Sequence, residues 1–338
     1  MGSIRSQIDA VAIADRLTNK ASATLAMAMD RDHELLPIPA VAVDEVDACT
    51  RGSLSPNRHQ QRDFFVADIL DAAPKDDLAS MEHPLFALKA GDKRVRIYER
   101  NGTTVTVKPG HDGCATIHDK DLWIYCISQL VEAINRGRED VGRVLRLTGY
   151  DFLVATNRRT DGDSYRRMGD TLARLCGTRI ETNIATDGRR ERAGFGLVDS
   201  WRVIERDHDG RMVAIEITLP DWLWRSVKAK HVLTLSRDYF RLRKPLDRRI
   251  YELARKHCGS QPKWRVSLAV LHEKSGSTDT RRKFRAAIKA LAGANMLPDY
   301  RVVFDVVSDA ATFYARAQKG ARAQLTDLLT ELKRGNRP

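Results

Sequence analysis

The residues with the clearest potential for chemistry are cations in the segment 279–293. With 3.6 residues per turn, Phe284, Ile288 and Leu291 form one buried stripe of a helix. The predicted outward set is Arg282, Arg285 and Lys289, flanked by Arg281 and Lys283. Asp279 is placed to be the N-cap. The major groove of DNA admits one helix, and arginine suits bidentate contacts with guanine, so the segment is predicted to be either a DNA-reading helix or an ordinary amphipathic surface helix.

A second helix with cations is predicted at 162–176. Its buried stripe is Tyr165, Met168, Leu172 and Leu175, and its predicted outward side is Arg167, Asp170, Thr171 and Arg174. The flanking cations are Arg158, Arg159 and Arg166, together with Arg189 and Arg190 in the loop TDGRRER. These cations could contact backbone phosphates. A solvated surface explains the loop equally well, and it explains the helix slightly better because Asp170 dilutes the positive charge.

A third helix is predicted at 246–258. Its buried residues are predicted to be Leu246, Ile250 and Leu253, and its exposed residues Arg248, Arg249, Arg255 and Lys256. His257 lies on the apolar side and is interpreted as a satisfied core or C-terminal histidine. Upstream, Tyr239 and Phe240 alternate with cations. Aromatic side chains can stack on single-stranded bases, but this spacing favours a role in the core.

No signature of catalysis stands out. The chain lacks the G-x-x-x-x-G-K-[ST] phosphate loop, and no catalytic residue, cofactor or metal is predicted. His111, Cys114 and His118 are close in sequence, yet a structural zinc site needs four ligands in paired spacing. The five cysteines are scattered without a C-x-x-C pair, which indicates reduced thiols and a cytoplasmic protein.

The elements that would position these residues indicate an α+β protein. Residues 4–30 are predicted to be a helix, and 31–62 a flexible linker rich in polar residues, with Pro and Gly. The predicted strands are 94–99 and 103–107, joined at Asn101-Gly102, then 178–184, 194–205 and 211–219, with a turn at Asp209-Gly210. A helix is predicted at 119–137, with Gly137 as its C-cap.

The second half repeats this pattern. After the helix at 246–258 come a strand at 264–266, helices at 267–274 and 279–293, a strand at 300–307 and a final helix at 321–333. The order of two helices followed by a hairpin occurs twice, which predicts two tandem winged-helix domains that follow an N-terminal arm. The predicted divisions are 1–62 for the arm, 63–235 and 236–320 for the two domains, and 321–338 for a C-terminal helix and tail.

The charge of the chain is concentrated. The whole chain has a formal net charge of +12, and residues 236–290 alone hold sixteen Lys and Arg against five Asp and Glu. Such a concentration predicts a polyanionic partner, although a solvated basic face has the same composition. A membrane surface is disfavoured, because there is no run of about 18–20 apolar residues and no basic helix beside a lipid anchor.

Long motifs of the chain resemble the replication initiator protein A family of bacterial plasmids from Arg62 to about Arg316. The stretches that carry the resemblance are RDFFVADILDAAPKDDLASMEHPLFALKAG, ATIHDKDLWIYCISQLVEAINRGR, LTGYDFLVATNR, LARLCGTRIETNI, GFGLVDSWRV, LTLSRDYFRLRKPLDRRIYELARKHCG and LPDYRVVFD. They cover roughly three quarters of the chain. The first 60 or so residues lie outside the resemblance.

The resemblance implies a plasmid replication initiator that binds repeated double-stranded origin DNA, promotes melting and recruits the host initiator and helicase machinery. It also implies a homodimer in equilibrium with a monomer. Carried over by position, helix 279–293 would make the main major-groove contacts, and helix 162–176 would lie in a domain for backbone contacts and dimerisation. Two alternatives stay open: a transcriptional repressor on the same scaffold, and an enzyme that nicks the origin.

Overall fold

A computed structural model describes residues 67–335 of the chain apart from Leu70, Asn101, Asp140, 187–188, Glu191 and 206–211. The predicted N-terminal helix and linker, and the predicted turn at Asp209-Gly210, lie outside the described residues. The described chain is a mixed helix and sheet structure, in agreement with the predicted class.

Nine α-helices and one 3-10 helix occur in the described part of the chain. The α-helices are α1 (Leu78–Glu82), α2 (Lys120–Asn135), α3 (Gly149–Ala155), α4 (Gly162–Gly177), α5 (Asp221–Lys228), α6 (Pro245–Cys258), α7 (Leu268–Ser275), α8 (Arg281–Ala294) and α9 (Gln318–Gly335). The 3-10 helix is Arg237–Arg241. The five predicted helices 119–137, 162–176, 246–258, 267–274 and 279–293 therefore form within one or two residues of their expected ends. The helix expected at 321–333 begins three residues earlier.

The described strands form five small sheets. The strands are β1 (Lys75–Asp77), β2 (Arg96–Arg100), β3 (Thr103–Lys108), β4 (Val144–Leu147), β5 (Arg179–Thr182), β6 (Ala185–Thr186), β7 (Arg189–Arg190), β8 (Ala193–Gly196), β9 (Ser200–Glu205), β10 (Met212–Thr218), β11 (Val232–Thr234), β12 (Lys263–Ser267), β13 (Tyr300–Asp305) and β14 (Ala310–Ala315). Their orders are β1-β11, β2-β3-β5-β8, β6-β7, β4-β10-β9 and β12-β14-β13.

The predicted hairpin at 94–107 is confirmed. In the antiparallel pair β2–β3, Arg100 lies opposite Thr103, which leaves two residues for the turn. Gly102 has a φ of +74°, a left-handed conformation that glycine adopts without a steric penalty. The single strand expected at 194–205 is instead two strands, β8 and β9, which belong to different sheets.

The same order of elements occurs in both halves of the described chain. In the first half α2, β4, α3 and α4 are followed by the pair β9–β10, and in the second half α6, β12, α7 and α8 are followed by the pair β13–β14. The two three-stranded sheets also have the same spatial order, with the first strand beside the third and the third beside the second. The first half differs by strands β5–β8, which lie between α4 and β9.

Two compact units divide the described residues: one holds 67–260 and 264–313, and the other holds 261–263 and 314–335. The larger unit contains two hydrophobic clusters. One draws its residues from 67–227, and the other draws on 235–313 together with Met81 and Ile124. In the smaller unit, Asp327 of α9 accepts hydrogen bonds from Lys263 Nζ at 2.6 Å and Tyr314 OH at 2.7 Å. The predicted domain boundaries stay predictions.

Candidate nucleic-acid interface

Helix α8 is capped by threonine rather than by the expected aspartate. Thr280 has extended backbone angles, and its Oγ1 accepts a hydrogen bond from the Lys283 backbone N–H at 3.4 Å. The predicted N-cap, Asp279, instead pairs with Lys89 Nζ at 2.8 Å, and this hydrogen bond lowers the pKa of Asp279. Threonine and aspartate both cap helices well, so sequence alone did not separate two neighbouring candidates.

The two sides of α8 differ as the helical repeat predicted. Phe284, Ile288 and Leu291 are buried. The exposed cations are Arg281, Arg282, Lys283 and Lys289. Within the described residues, none of these four has a carboxylate within ion-pair distance. Helix α8 has no acidic residue of its own. Lys283 lies close enough to Asp279, and Arg281 and Lys289 close enough to Asp309, to lower the pKa of those carboxyl groups.

Arg285 is the exception among the predicted outward cations of α8. Its Nη2 donates a hydrogen bond to Asp309 Oδ2 at 2.7 Å, and its Nε donates one to Oδ1 at 2.8 Å. The guanidinium and the carboxylate therefore form a bidentate ion pair. The hydrogen bond from Arg285 lowers the pKa of Asp309. Arg285, predicted to face outward, is therefore partly exposed but paired, because Asp309 just before β14 reaches the helix.

The turn between β13 and β14 is held by a second aspartate. Oδ1 of Asp305 accepts hydrogen bonds from the backbone N–H of Val307 at 2.9 Å and of Ser308 at 3.3 Å. Arg265 of β12 donates from Nη2 to Asp305 Oδ2 at 2.9 Å. Hydrogen bonds from the Ser308 hydroxyl and from Arg265 lower the pKa of Asp305 to about 2, so the carboxylate keeps its charge through mild acid.

Helix α4 uses one of its predicted DNA-binding cations internally. Arg174 donates to Asp119 from Nε at 2.9 Å and from Nη2 at 2.7 Å, and buried Thr171 donates to Asp119 Oδ1 at 2.8 Å. Burial acts to raise the pKa of Asp119, but the bonds from Arg174 and from the Thr116 backbone hold it below its usual value. The prediction that Thr171 and Arg174 face outward is wrong, because a buried carboxylate on the neighbouring segment draws both inward.

The other cations predicted around α4 also have acidic partners. Arg158 Nη2 lies 2.8 Å from Asp121 and donates to the His118 carbonyl at 2.6 Å, with its guanidinium 5.5 Å from the Phe152 ring centre. The remaining pairs are Arg159 with Asp161 at 3.0 Å, Arg166 with Asp163 at 2.6 Å, and Arg167 with Asp163 at 3.5 Å. Arg159, Arg166 and Arg167 nonetheless keep most of their side-chain surface exposed.

The loop TDGRRER, which holds the predicted phosphate-binding residues Arg189 and Arg190, is only partly described. Arg189 and Arg190 form strand β7, which pairs with β6 in the register Ala185 opposite Arg190. Arg189 and Arg190 therefore lie in a short antiparallel strand pair.

Helix α6 departs most from the sequence interpretation. Arg248 and Arg249, predicted to be exposed, have only 2% of their side-chain surface exposed. Arg248 pairs with Asp121 of α2 and donates from Nε to the Leu242 carbonyl at 2.7 Å. Arg249 donates to four backbone carbonyl groups, those of Ser80, Met81, Glu82 and Lys274. The 3.6-residue periodicity predicted that both arginines face outward. It could not predict their burial, because the carboxylate and carbonyl groups that pair with them lie on other segments of the chain.

The buried ionic cluster extends to α2 and β1. Lys120 Nζ lies 2.6 Å from Asp76 Oδ2 and 3.0 Å from Glu252 Oε2, and Tyr239 OH donates to Glu252 at 2.7 Å. Burial raises the pKa of Asp76 to about 7, while the nearby ammonium group of Lys120 opposes this shift. The three buried cations Lys120, Arg248 and Arg249 each lie within ion-pair distance of a buried carboxylate, which offsets the cost of burying their charges.

The remaining interpretations concern single side chains. Tyr239 and Phe240 are buried, which confirms their role in the core. His257 Nε2 lies 3.1 Å from Glu82, and its ring stacks on Trp264 at 4.7 Å, as expected of a satisfied histidine.

His111, Cys114 and His118, which are close in sequence, do not form a common metal site in the fold. Cys114 is buried, whereas His111 lies in solvent beside Asp112. Nowhere in the described residues do three His, Cys, Asp or Glu side chains converge as metal ligands. The described cysteines Cys114, Cys126, Cys176 and Cys258 are free thiols. No described helix is both long enough and apolar enough to span a membrane.

Known proteins resemble this chain in sequence and in fold. A family model described as "Replication initiator protein A" matches residues 75–302. A relative from Wigglesworthia glossinidia brevipalpis, named "Putative replication protein", is 42% identical over 258 residues, which cover 75% of this chain and 94% of the relative. The crystal structure of domains 2 and 3 of RctB matches 70% of this chain and 96% of its own with a TM-score of 0.51. At 9% identity this last likeness concerns the fold alone.

Proposed function

Because the chain belongs to the replication initiator protein A family, we propose that it initiates plasmid replication by binding repeated origin DNA through helix α8. The observation that carries the proposal is the face of α8. Four exposed cations, none with a described carboxylate within ion-pair distance, lie on one helix whose apolar side is buried. Arginine can read guanine in the major groove with paired hydrogen bonds, and lysine can neutralise phosphate.

We further propose that the two halves are tandem winged-helix domains. The repeated order of helix, strand, two helices and hairpin supports this, as does the shared order of strands in the two sheets. In a winged helix the second helix of the helical pair enters the major groove, which assigns α8 in the second half and α4 in the first. The hairpins β9–β10 and β13–β14 are then the wings.

The first half has a supporting role in this proposal. Arg159, Arg166 and Arg167 expose 87%, 72% and 72% of their side chains, so each can turn from its carboxylate to a phosphate. Arg174 and Arg158 are held by interior carboxylates and would act by positioning α4. We assign to this half the backbone contacts and the homodimer interface.

The remaining steps follow from the family. The initiator would melt DNA beside its repeats, recruit the host initiator and helicase, repress its own promoter and act in the cytoplasm. It would need no catalytic residue, metal or cofactor, since its work is binding and deformation of DNA.

Two assays in sequence test the proposal. Duplexes selected by the purified chain from a random pool should share one motif, and that motif should recur beside the gene. The chain should then maintain, in trans, a replicon that carries only those repeats. Selection of a motif without maintenance of the replicon would identify a dedicated repressor. A nick or a covalent adduct on supercoiled origin DNA with Mg²⁺ would identify an enzyme, and we expect neither product.

A further inference from the structure

The tip of the β13–β14 hairpin exposes two apolar side chains. Val306 is 66% exposed and Val307 is 98% exposed. Turns favour Gly, Pro, Asn, Asp and Ser, each for a conformational or hydrogen-bonding reason that valine does not share. A single exposed apolar residue is ordinary, but two adjacent valines at a turn gain neither packing nor turn geometry. Their position points to a ligand outside the chain.

The backbone of this tip is fixed before any ligand binds. Asp305 accepts the backbone N–H groups of Val307 and Ser308, and Arg265 holds the same carboxylate from β12. The Ser308 hydroxyl also bonds Asp305 and Arg265. The valines are therefore presented on a rigid turn, so little conformational entropy would be lost when they enter a ligand.

The tip is joined to the cationic face of α8. Asp309, which follows the tip, accepts two hydrogen bonds from Arg285 of α8. Phe304, which precedes the tip, has the Lys289 ammonium group 5.7 Å from the centre of its ring. Each of the two carboxylates that flank the valines is neutralised by an arginine. An acidic hairpin would be repelled by phosphates, but this one can approach them together with α8.

We propose that Val306 and Val307 form an apolar wedge that enters the minor groove beside the major groove read by α8 and partly unstacks one base step. This rests on the proposed function of α8. Apolar side chains inserted from the minor groove kink DNA at flexible pyrimidine–purine steps. The wedge gives an initiator a direct means of weakening the duplex next to its binding site. It is favoured over a protein partner because the same hairpin is tied to a surface suited to a polyanion.

The test uses the full-length chain and a duplex that it has selected from a random pool. A 2-aminopurine base is placed at each position flanking the selected motif, because its fluorescence rises when stacking is lost. The test variant is V306S/V307S. The matched control is V95S/V144S, which replaces two valines that are each 56% exposed at other places in the fold. The variant R282A reports the loss of major-groove contacts.

The wild-type chain and V95S/V144S should raise the fluorescence at one or two adjacent positions. V306S/V307S should bind within about threefold of the wild-type Kd but lose most of this rise, since the wedge deforms DNA more than it anchors the protein. R282A should bind more weakly and regain the full rise at saturation.

Two results would overturn the wedge. The first is a rise in 2-aminopurine fluorescence that is undiminished in V306S/V307S. The second is a wild-type chain that binds the duplex without any rise in fluorescence, while R282A still weakens binding. Loss of replicon maintenance in V306S/V307S with the rise intact would show that the tip contacts a protein instead. A wild-type chain that selects no duplex would contradict the proposed function itself, which separates that failure from a failure of the wedge.

Discussion

Helices α4 and α8 occupy equivalent places in the two halves, yet their cations are used differently. Around α4, five of the cations predicted to bind DNA each have a carboxylate within 3.5 Å: Arg158, Arg159, Arg166, Arg167 and Arg174. For Arg174 that carboxylate is the buried Asp119. On α8 only Arg285 is paired in this way within the described residues, and its partner, Asp309, lies in the β13–β14 hairpin. A positive helix in the sequence is therefore not equivalent to a positive surface in the fold.

The difference follows from where the acidic residues lie. Asp163 on α4 pairs with Arg166 and Arg167, and three aspartates outside α4 pair with the other cations of the first half: Asp119, Asp121 and Asp161. Helix α4 includes Asp163 and Asp170, whereas α8 contains no acidic residue. Helix α6 extends the comparison, since its Arg248 and Arg249 hold the core of the larger unit and cannot reach a ligand. In the proposed function, the exposed cations of α8 read DNA and the exposed, ion-paired arginines around α4 contact phosphates. The buried arginines of α6 position the helices.

The largest effect is expected for a buried cation. Arg248→Ala should lower the free energy of unfolding by about 3–5 kcal/mol, because it leaves the carboxylate of Asp121 without one of its partners in the core. Arg282→Ala, the exposed control, should change stability by less than about 0.5 kcal/mol. Urea unfolding measures both, and equal midpoints would contradict the division between buried and free cations.

The next effect concerns Arg174, the positioning residue of α4. Arg174→Ala should cost about 1.5–3 kcal/mol of stability at pH 7, since it removes two charge-assisted hydrogen bonds from Asp119. Because the folded pKa of Asp119 is lowered, its contribution is full above the unfolded value of about 3.9 and is lost as the pH falls through the folded value. The difference between wild type and variant should therefore shrink in acid. A difference that stays constant below pH 4 would indicate that Arg174 acts through packing alone.

On DNA, a single α8 arginine should have a clear effect. Arg282→Ala should weaken binding to the selected duplex by about 1–3 kcal/mol if the side chain contacts a base, and it should relax the preference at that base pair. Titration of duplexes mutated at each position measures both quantities. If the variant bound all the mutated duplexes more weakly by the same factor, Arg282 would contact a phosphate instead of a base.

The smallest effect is expected for an α8 lysine. Lys283→Ala should lower the slope of log Kobs against log salt by about 0.9, the value for one phosphate contact, with little change in sequence preference. Arg166→Ala should change the slope less, because Asp163 already neutralises part of its charge. Equal changes in the two slopes would remove the distinction between α8 and α4.

Local patterns predicted the helices and strands well, because they depend on neighbours in sequence. The apolar stripe of α8 and the hairpin at Gly102 follow from periodicity and turn chemistry. The roles of Arg174, Arg248 and Arg285 could not be obtained in this way. Each depends on an aspartate that is distant in sequence and comes near only in the fold. The exposed valines at 306 and 307 were also missed, since both were expected to continue a strand.

The central claim is tested most directly by one pair of matched variants on one duplex. R281A/R282A and R166A/R167A each remove two adjacent arginines, from α8 and from α4 respectively. We predict that the Kd for the selected duplex rises at least about tenfold in the first variant and less than about threefold in the second, both at the same salt concentration. Equal losses, or a larger loss in R166A/R167A, would contradict the assignment of α8 as the helix that reads DNA.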